Sequence, residues 1–155
     1  MVYIGVDPGA KGAFAFTAES ETGKVVKVFP WDNGLFVRYM RGIANTHDHP
    51  VGHVIAAVEK VGAMPGQGVT SMFHFGESLG YIRGVLEGFC IPYQLVIPRR
   101  WKGDFGLIGK GKSASIEVCH RLYPQIDLRP TARCRKDSDG MADALLIMEY
   151  ARRHL

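Results

Sequence analysis

The alternation of hydrophobic and polar residues predicts three strands at the start of the chain. An apolar run from Val2 to Asp7 is broken by Pro8-Gly9 and resumes from Gly12 to Thr17, which indicates a hairpin. A third strand is predicted from Lys24 to Phe29, after a polar turn at Glu19 to Gly23. Three strands in such close succession favour an antiparallel meander.

Helices and strands alternate in the rest of the chain. The predicted elements are a helix from Asp32 to about Ala44, a strand from Val54 to Glu59, a helix from Ser71 to Gly88, a strand from Tyr93 to Ile97, a helix from Ser113 to about Tyr123, and a last helix that Ser138 or Asp139 caps. The order β-β-β-α-β-α-β-α-α predicts an α/β fold with a mixed sheet flanked by helices. A chain of 155 residues is too short for two ordinary lobes, so we predict one domain spanning residues 1–155.

Composition places the chain among folded, water-soluble proteins. Apolar residues make up 46% and charged residues 22% of the sequence, so the usual signature of disorder is missing. No apolar run approaches the roughly 20 residues that a membrane helix needs, and Asp7 interrupts the N-terminal run where a signal peptide would be apolar. The three cysteines form no C-x-x-C pair. We therefore predict a cytoplasmic protein with reduced thiols and no membrane partner.

The net charge of +4 conceals a strongly basic middle segment. Residues 99–136 contain 10 Lys and Arg against 3 Asp and Glu, whereas residues 1–98 contain 7 against 8 and residues 137–155 contain 2 against 4. A basic block of this size attracts a polyanion by charge neutralisation and counterion release. Taken alone, the same block is equally typical of a solvated loop.

Four carboxylates are the strongest candidates for chemistry. Asp7 and Glu59 each end a strand that otherwise looks like core, and parallel strands bring their C-terminal ends together at one edge of a sheet. Asp139 and Asp143 are four residues apart, so on a helix they share one face. Oxygen-only clusters suit Mg²⁺ or Mn²⁺. Each acid alone is also explained as a turn residue or a helix cap, and only their combination predicts a metal site.

Three motifs in order resemble the RuvC-type Holliday junction resolvases, and in particular their phage-encoded relatives. They are Ile4-Gly5-Val6-Asp7-Pro8-Gly9 at the start, Glu59 at a strand end before a glycine-rich loop, and the segment from Asp139 to Leu146 near the C-terminus. The resemblance spans essentially the whole chain. Each motif is moderately specific, and the three together at these distances are strong.

The resemblance implies an RNase H-like mixed five-stranded sheet, a homodimer, and a nuclease acting in DNA recombination and repair. By position, Asp7, Glu59, Asp139 and Asp143 would hold two Mg²⁺ ions, with Mn²⁺ able to substitute. The implied reaction is hydrolysis of branched DNA, such as four-way junctions, by paired nicks that leave 5′-phosphate and 3′-hydroxyl ends. The phage-like branch also implies a phage gene expressed in a bacterial host.

The basic segment contains residues that match lysines of this family. Lys102 and Lys112 correspond to lysines beside the scissile phosphate, where a cation neutralises charge in the transition state. Arg99, Arg100 and Lys110 are predicted to contact flanking phosphates, with surface solubility as the alternative.

Two departures from the family pattern leave questions open. The last two acids are commonly three residues apart in bacterial resolvases, but here they are four apart, and Asp137 competes with Asp139 as the third acid. An aromatic wedge normally follows the strand-final Glu by three residues, where this chain has Gly62. Three residues at the start of the long helix are candidates for that role, Met72, Phe73 and Phe75, although their spacing is more typical of core or dimer-interface residues.

Other classes of function remain as alternatives. An RNase H-like nuclease acting on RNA or RNA·DNA, and an inactive junction-binding protein of the same fold, are both compatible with the motifs. An actin-like phosphotransferase shares the Asp-x-Gly loop after the first strand, but it needs two lobes and a second phosphate loop. Repulsion among four acids disfavours the inactive binder, since mere binding gives no reason to retain them.

Overall fold

One mixed sheet with the first strand at its centre organises the chain. The computed structural model describes residues 1–20, 23–45, 53–60, 62, 66 and 68–155. The elements in chain order are β1 (Val2–Asp7), β2 (Ala13–Ser20), β3 (Gly23–Pro30), α1 (Asn33–Asn45), β4 (Val54–Glu59), α2 (Val69–Gly88), β5 (Tyr93–Val96), α3 (Pro98–Asp104), α4 (Ser113–Leu122) and α5 (Asp139–His154). The strand order is β3-β2-β1-β4-β5. β1, β2 and β3 are antiparallel, whereas β4 and β5 run parallel to β1.

Helices cover both faces of the sheet, which is why β1 is apolar almost throughout. Ile4 and Val6 are fully buried in the layer that α1 and α2 form on one face. On the other face lies α5, where Leu145 and Met148 are also fully buried. A strand covered on both faces has no solvent-facing side to carry polar residues.

The close approach of α5 to β1 depends on a residue without a side chain. A Cβ atom placed on Gly5 would lie 2.1 Å from the backbone nitrogen of Met148 and 2.3 Å from the carbonyl oxygen of Ala144. Only glycine allows two backbones to pack at this distance. Gly5 therefore fixes how near the C-terminal helix lies to the central strand.

Much of the predicted architecture is confirmed. The hairpin pairs Asp7 with Ala13, and the mixed five-stranded sheet flanked by helices agrees with the predicted fold class. Asp32 accepts a hydrogen bond from the backbone N–H of Leu35 at 2.6 Å. Ser138, rather than Asp139, caps α5 by accepting from the backbone N–H of Met141 at 3.3 Å. That residues 1–155 form one domain stays a prediction.

The predicted element pattern missed one helix and misplaced several boundaries. The largest error is at β2, which runs to Ser20, three residues past the predicted end at Thr17, so Glu19 and Ser20 are strand residues and not part of the predicted turn. α3 was missed because a seven-residue helix that starts at a proline has no room for a periodic apolar stripe. α2 begins at Val69, two residues before Ser71, with no side-chain cap at its start. β5 ends at Val96 instead of Ile97. The predicted turn around residues 19–23 and the glycine-rich loop after Glu59 lie partly outside the described residues.

Of the two interpretations of the α2 aromatics, as core or as dimer-interface residues, the structure contradicts the first, and the second stays a prediction. The side chains of Phe73 and Phe75 are 68% and 37% exposed, although Ile82 on the same helix is fully buried. The N-terminal half of α2 therefore presents aromatic rings to solvent.

Within the described part of the chain, no helix is long and apolar enough to span a bilayer.

Candidate active site

All four predicted acids line one cavity of about 660 Å³. Asp7 ends β1 and Glu59 ends the neighbouring β4, and the register that pairs Val6 with Val58 sets the two acids side by side. Asp139 and Asp143 lie in the first turns of α5 and reach the same cavity from the helix side. Two sheet-edge acids thus face two helix acids.

Close backbone contacts hold the first loop of the chain against the start of α5. A Cβ atom on Gly140 would lie 2.1 Å from the carbonyl oxygen of Lys11, and one on Gly12 would lie 2.0 Å from that of Asp7. The segment from Pro8 to Gly12 therefore forms part of the cavity wall. These contacts couple the position of Asp7 to that of the helix acids.

Burial and mutual repulsion make three of the acids, Asp7, Glu59 and Asp143, unfavourable as anions. Burial, followed by the charges of Glu59, Asp143 and Asp139, raises the pKa of Asp7 to about 8. Burial also raises the pKa values of Glu59 and Asp143. One carboxylate oxygen of Asp143, Oδ1, is buried and has no hydrogen-bond partner among the described residues. Such a site gains stability from a bound cation.

Lysines supply part of the missing positive charge. Lys112 Nζ lies 3.5 Å from Asp139 Oδ2, and Lys102 lowers the pKa values of Asp7, Glu59 and Asp143. A second cavity of about 200 Å³ joins Lys102, Lys110 and Lys112 to the two helix acids. Three of the predicted basic residues therefore lie beside the acids.

The other predicted residues lie farther out. Arg99 and Arg100 are exposed on the first turn of α3 and line neither cavity. Asp137, the competitor for the third acid, pairs with His120 at 2.7 Å and also lines neither cavity. The geometry favours Asp139 over Asp137.

The oxygen donors fit a hard divalent cation, although they are not drawn together around a single point. Among the residues that the structure describes, no three His, Cys, Asp or Glu side chains form a ready-made metal site. The buried unpaired oxygen of Asp143 and the repulsion at Asp7 nevertheless match what Mg²⁺ or Mn²⁺ would relieve. The described lining contains no Cys or His, as expected for these metals rather than zinc.

Sequence reasoning missed the contacts of Trp101 and Ser115 at this site. Trp101, fully buried in α3, donates its indole N–H to Glu59 Oε2 at 3.0 Å. Ser115, also buried, lines the lysine cavity, and its hydroxyl lowers the pKa of Asp143. Neither is marked by spacing, because each reaches the acids from an element distant in sequence. Phe75, which the sequence offered as a candidate wedge residue, also lines the acid cavity, against Gly9.

Sequence comparison relates part of the chain to a known protein. No protein-family model matches the sequence. Over 99 residues, or 61% of the chain, the sequence is 40% identical to the chloroplastic Holliday junction resolvase MOC1 of Chlamydomonas reinhardtii. The chain spans only 10% of the length of that relative.

Solved structures match along nearly the whole chain. Thermus thermophilus RuvC in complex with a Holliday junction substrate has a TM-score of 0.62 at 15% identity, covering 99% of this chain and 97% of that one. This chain has the RuvC-type, RNase H-like fold. The fowlpox virus Holliday junction resolvase shares the RuvC-type fold with a TM-score of 0.54 at 17% identity, covering 100% of both chains. The predicted resemblance to the RuvC-type resolvases is thereby confirmed.

Proposed function

We propose that this chain is a metal-dependent, structure-selective DNA endonuclease that cleaves four-way or other branched DNA by paired nicks. The observation that carries the proposal is the cavity in which four acids face one another beside lysines. The cavity lies in a fold that is shared with Thermus thermophilus RuvC, whose structure was solved in complex with a Holliday junction substrate. Part of the sequence is also similar to the resolvase MOC1.

The acids are the residues to which we assign the metal. Asp7, Glu59, Asp139 and Asp143 would hold two divalent cations, with Mg²⁺ as the proposed ion and Mn²⁺ as a substitute. Bound there, the cations would lower the pKa of a water and stabilise the charge on the leaving 3′ oxygen, which yields 5′-phosphate and 3′-hydroxyl ends. The burial that raises the pKa of Asp7 in the free protein also strengthens electrostatic interactions with a bound cation.

The cationic residues divide into two groups in this proposal. Lys102 and Lys112, next to the acids, would neutralise charge that develops on the scissile phosphate. Lys110, which lines the same lysine cavity, would contact an adjacent phosphate together with the exposed Arg99 and Arg100. Phosphate contacts of this kind fix the position of the DNA without reading its sequence.

A homodimer would place two such sites on the two strands that a four-way junction requires to be cut. The surface we assign to the second copy is the exposed face of α2, where Val69 and Phe73 are 79% and 68% exposed. Gly76, Gly80 and Gly84 follow at intervals of four. A Cβ atom added to any of them would meet none of the described residues within 4 Å, the backbone of α2 itself aside. A glycine ridge lets a second helix approach closely.

The cleavage experiment uses end-labelled four-way, forked, linear duplex and RNA·DNA substrates with Mg²⁺. Paired symmetric nicks on the four-way substrate are expected, as two coordinated sites would make them. Cleavage of RNA·DNA alone would transfer the assignment to the RNase H-like alternative. Junction binding without any cleavage would favour an inactive binder.

Substitutions separate cleavage from binding. Asp7→Asn and Asp143→Asn are expected to abolish cleavage while junction binding persists, because the acids serve the metal and the lysines and arginines serve phosphates. Asp137→Asn is the matched control, since it removes the same charge outside the cavity, and it should retain cleavage. Undiminished cleavage by Asp7→Asn or Asp143→Asn would contradict the proposal.

The dimer surface has its own test. Phe73→Glu should shift the protein toward the monomer in sedimentation velocity and reduce paired nicking, because it buries a charge in the proposed contact. Lys27→Glu, a change to Glu on the edge strand β3, is the control that should leave assembly intact.

A further inference from the structure

Trp101 occupies an unusual position for an aromatic core residue. It lies in α3, a short helix in which it is the buried residue, and its side chain is fully buried. Its indole nitrogen nevertheless points at an acid of the cavity, donating to Glu59 Oε2 at 3.0 Å. The ring therefore anchors α3 in the core, and the N–H restrains one acid of the cavity.

The same ring also contacts a cation of the site. Lys102 Nζ lies 5.1 Å from the Trp101 ring centroid, within the range of a cation–π interaction. Lys102 is also the cation that lowers the pKa values of Asp7, Glu59 and Asp143. One side chain thus connects an acid to the lysine that balances the acids.

An indole side chain suits this position better than another polar side chain would. The indole N–H only donates and carries no charge. It therefore cannot coordinate a cation itself or take a proton from a neighbouring acid, as histidine would. A donor of this kind holds one carboxylate oxygen and leaves the other for a cation.

We propose that Trp101 is a positioning residue that presets Glu59 for a divalent cation and holds Lys102 beside the acids. The inference rests on the proposed function of the acid cavity, and it assigns to α3 a role that the sequence did not indicate. Groups that orient metal ligands typically change metal affinity or activity by about 10- to 100-fold when they are removed.

The alternative is that Trp101 merely fills the core. Trp101→Phe distinguishes the two, because phenylalanine keeps an aromatic ring in the core but lacks the N–H. Trp31→Phe is the matched control. Trp31 is the other tryptophan of the chain, and its Nε1 donates to Asn33 Oδ1 at 2.9 Å in an exposed contact.

The first measurement is the Mg²⁺ dependence of four-way junction cleavage. For Trp101→Phe we expect the Mg²⁺ concentration that gives half-maximal cleavage to rise by about 10-fold or more, with a smaller loss of rate at saturating Mg²⁺. Trp31→Phe should retain the wild-type curve. An unchanged Mg²⁺ curve for a folded Trp101→Phe protein would overturn the inference.

The second measurement needs neither cleavage nor a Trp101 variant. In the Trp31→Phe protein, Trp101 is the sole tryptophan, and titration with Mn²⁺ in the absence of DNA should change its emission in a saturable way. Adding Asp143→Asn should weaken that response by about 10-fold or more. If the emission of Trp101 does not change at any Mn²⁺ concentration at which the protein stays folded, the inference is also overturned.

The two measurements separate this inference from the proposed function. A saturable Trp101 response in a protein that cleaves none of the substrates would refute the nuclease and retain the link between Trp101 and the cation site. Junction cleavage with a wild-type Mg²⁺ curve in Trp101→Phe would retain the nuclease and refute the positioning role. If Trp101→Phe does not fold, as circular dichroism would reveal, the emission titration decides alone.

Discussion

At the scale of single residues, the most consequential feature is the burial of acids that repel one another. Burial and the three neighbouring carboxylates raise the pKa of Asp7 to about 8, whereas a structural ion pair would lower the pKa of an aspartate. Such acids destabilise the cation-free protein, and a bound cation would stabilise it. Perturbed carboxylates in a cavity are the usual mark of a functional site.

The first prediction concerns the stability of Asp7→Asn in the absence of divalent cations. An acid whose folded pKa is raised from 3.8 to about 8 destabilises the fold progressively as the pH rises between those values. Asp7→Asn should therefore unfold at a higher temperature than wild type at pH 7, by at least about 2–4 °C, or about 1 kcal/mol. This gain in unfolding temperature should shrink as the pH falls toward 4.

Differential scanning calorimetry in chelator checks this, with Asp127→Asn as the control. Asp127 is an exposed acid paired with Arg129, so its substitution should bring no gain. Added Mg²⁺ should stabilise the wild type more than Asp7→Asn. An Asp7→Asn protein less stable than wild type at pH 7 would contradict the interpretation of Asp7 as a strained site residue.

The pKa of Glu149 is shifted in the opposite direction to that of Asp7, and this gives a second prediction. Burial alone would raise its pKa, but hydrogen bonds from Arg152, Tyr123 and Arg153 outweigh burial and lower the pKa from 4.5 to about 2. Because the folded pKa is depressed, this stabilisation is present above about pH 4.5 and is lost as the pH falls toward 2. Glu149→Gln should cost roughly 2–3 kcal/mol at pH 7.

Urea unfolding of wild type and Glu149→Gln at pH 7 and at pH 3 measures this effect. The difference in unfolding free energy should narrow at pH 3. Glu77→Gln, in the exposed pair with His74, should be nearly neutral at both pH values. A difference that does not depend on pH would show that Glu149 acts through packing alone.

At the scale of elements, the contact between β1 and α5 decides where the acids lie. β1 ends in Asp7, and α5 begins with Asp139 and Asp143. Gly5 lets the two backbones touch, and Gly140 lets the loop after β1 close on the helix start. The distance between the sheet acids and the helix acids is therefore set by two glycines.

Gly5→Ala gives the prediction at this scale. The added methyl would meet the backbone of Met148 at 2.1 Å, and backbone cannot rotate away as a side chain can. We expect a loss of about 3 kcal/mol or more in the free energy of unfolding, and lower cleavage in the protein that still folds. Gly42→Ala is the control, since its site in α1 is open and alanine favours helix by up to about 1 kcal/mol.

Chemical denaturation and the cleavage assay read out both consequences. A Gly5→Ala protein as stable as wild type would mean that α5 can move away from β1 at little cost. In that case the positions of the helix acids would not depend on this contact.

At the scale of the whole molecule, basic and acidic residues are separated along the sequence, and folding brings them together. The basic residues of 99–136 precede the acids of α5 in sequence, and folding places Lys102, Lys110 and Lys112 around Asp139 and Asp143. An acid cavity with a cationic border can accept a phosphate backbone that the acids alone would repel.

Salt dependence of junction binding tests that arrangement. With the Asp143→Asn protein, which should bind without cutting, we expect affinity to fall steeply between about 50 and 200 mM salt. Replacing Arg99 and Arg100 with alanine should reduce the slope of log affinity against log salt by up to about 2. Arg38→Ala is the control, because Arg38 lies beside Val2, at the other end of β1 from Asp7. An unchanged slope would remove the two arginines from the DNA surface.

The sequence determined the features that depend on local order. The strand pattern, the cap at Asp32, and the spacing of Asp139 and Asp143 follow from periodicity and from side chains that bond to their own backbone, so neighbouring residues suffice to predict them. For the last helix the sequence left Ser138 and Asp139 as alternative caps, and the structure has Ser138. The adjacency of Asp7 and Glu59 was predictable as well, since parallel neighbouring strands align their ends.

Only the tertiary structure decided the features that depend on residues far apart. Four such features leave no periodic trace in the sequence. They are helix α3, the hydrogen bond from Trp101 to Glu59, the position of Asp139 rather than Asp137 in the lining of the cavity, and the exposure of Phe73. Each is fixed by which surfaces meet when the sheet and helices pack, and that packing depends on long-range contacts such as the one at Gly5. The sequence by itself supplied the acids, and the packing of α3 and α5 against the sheet decided their surroundings.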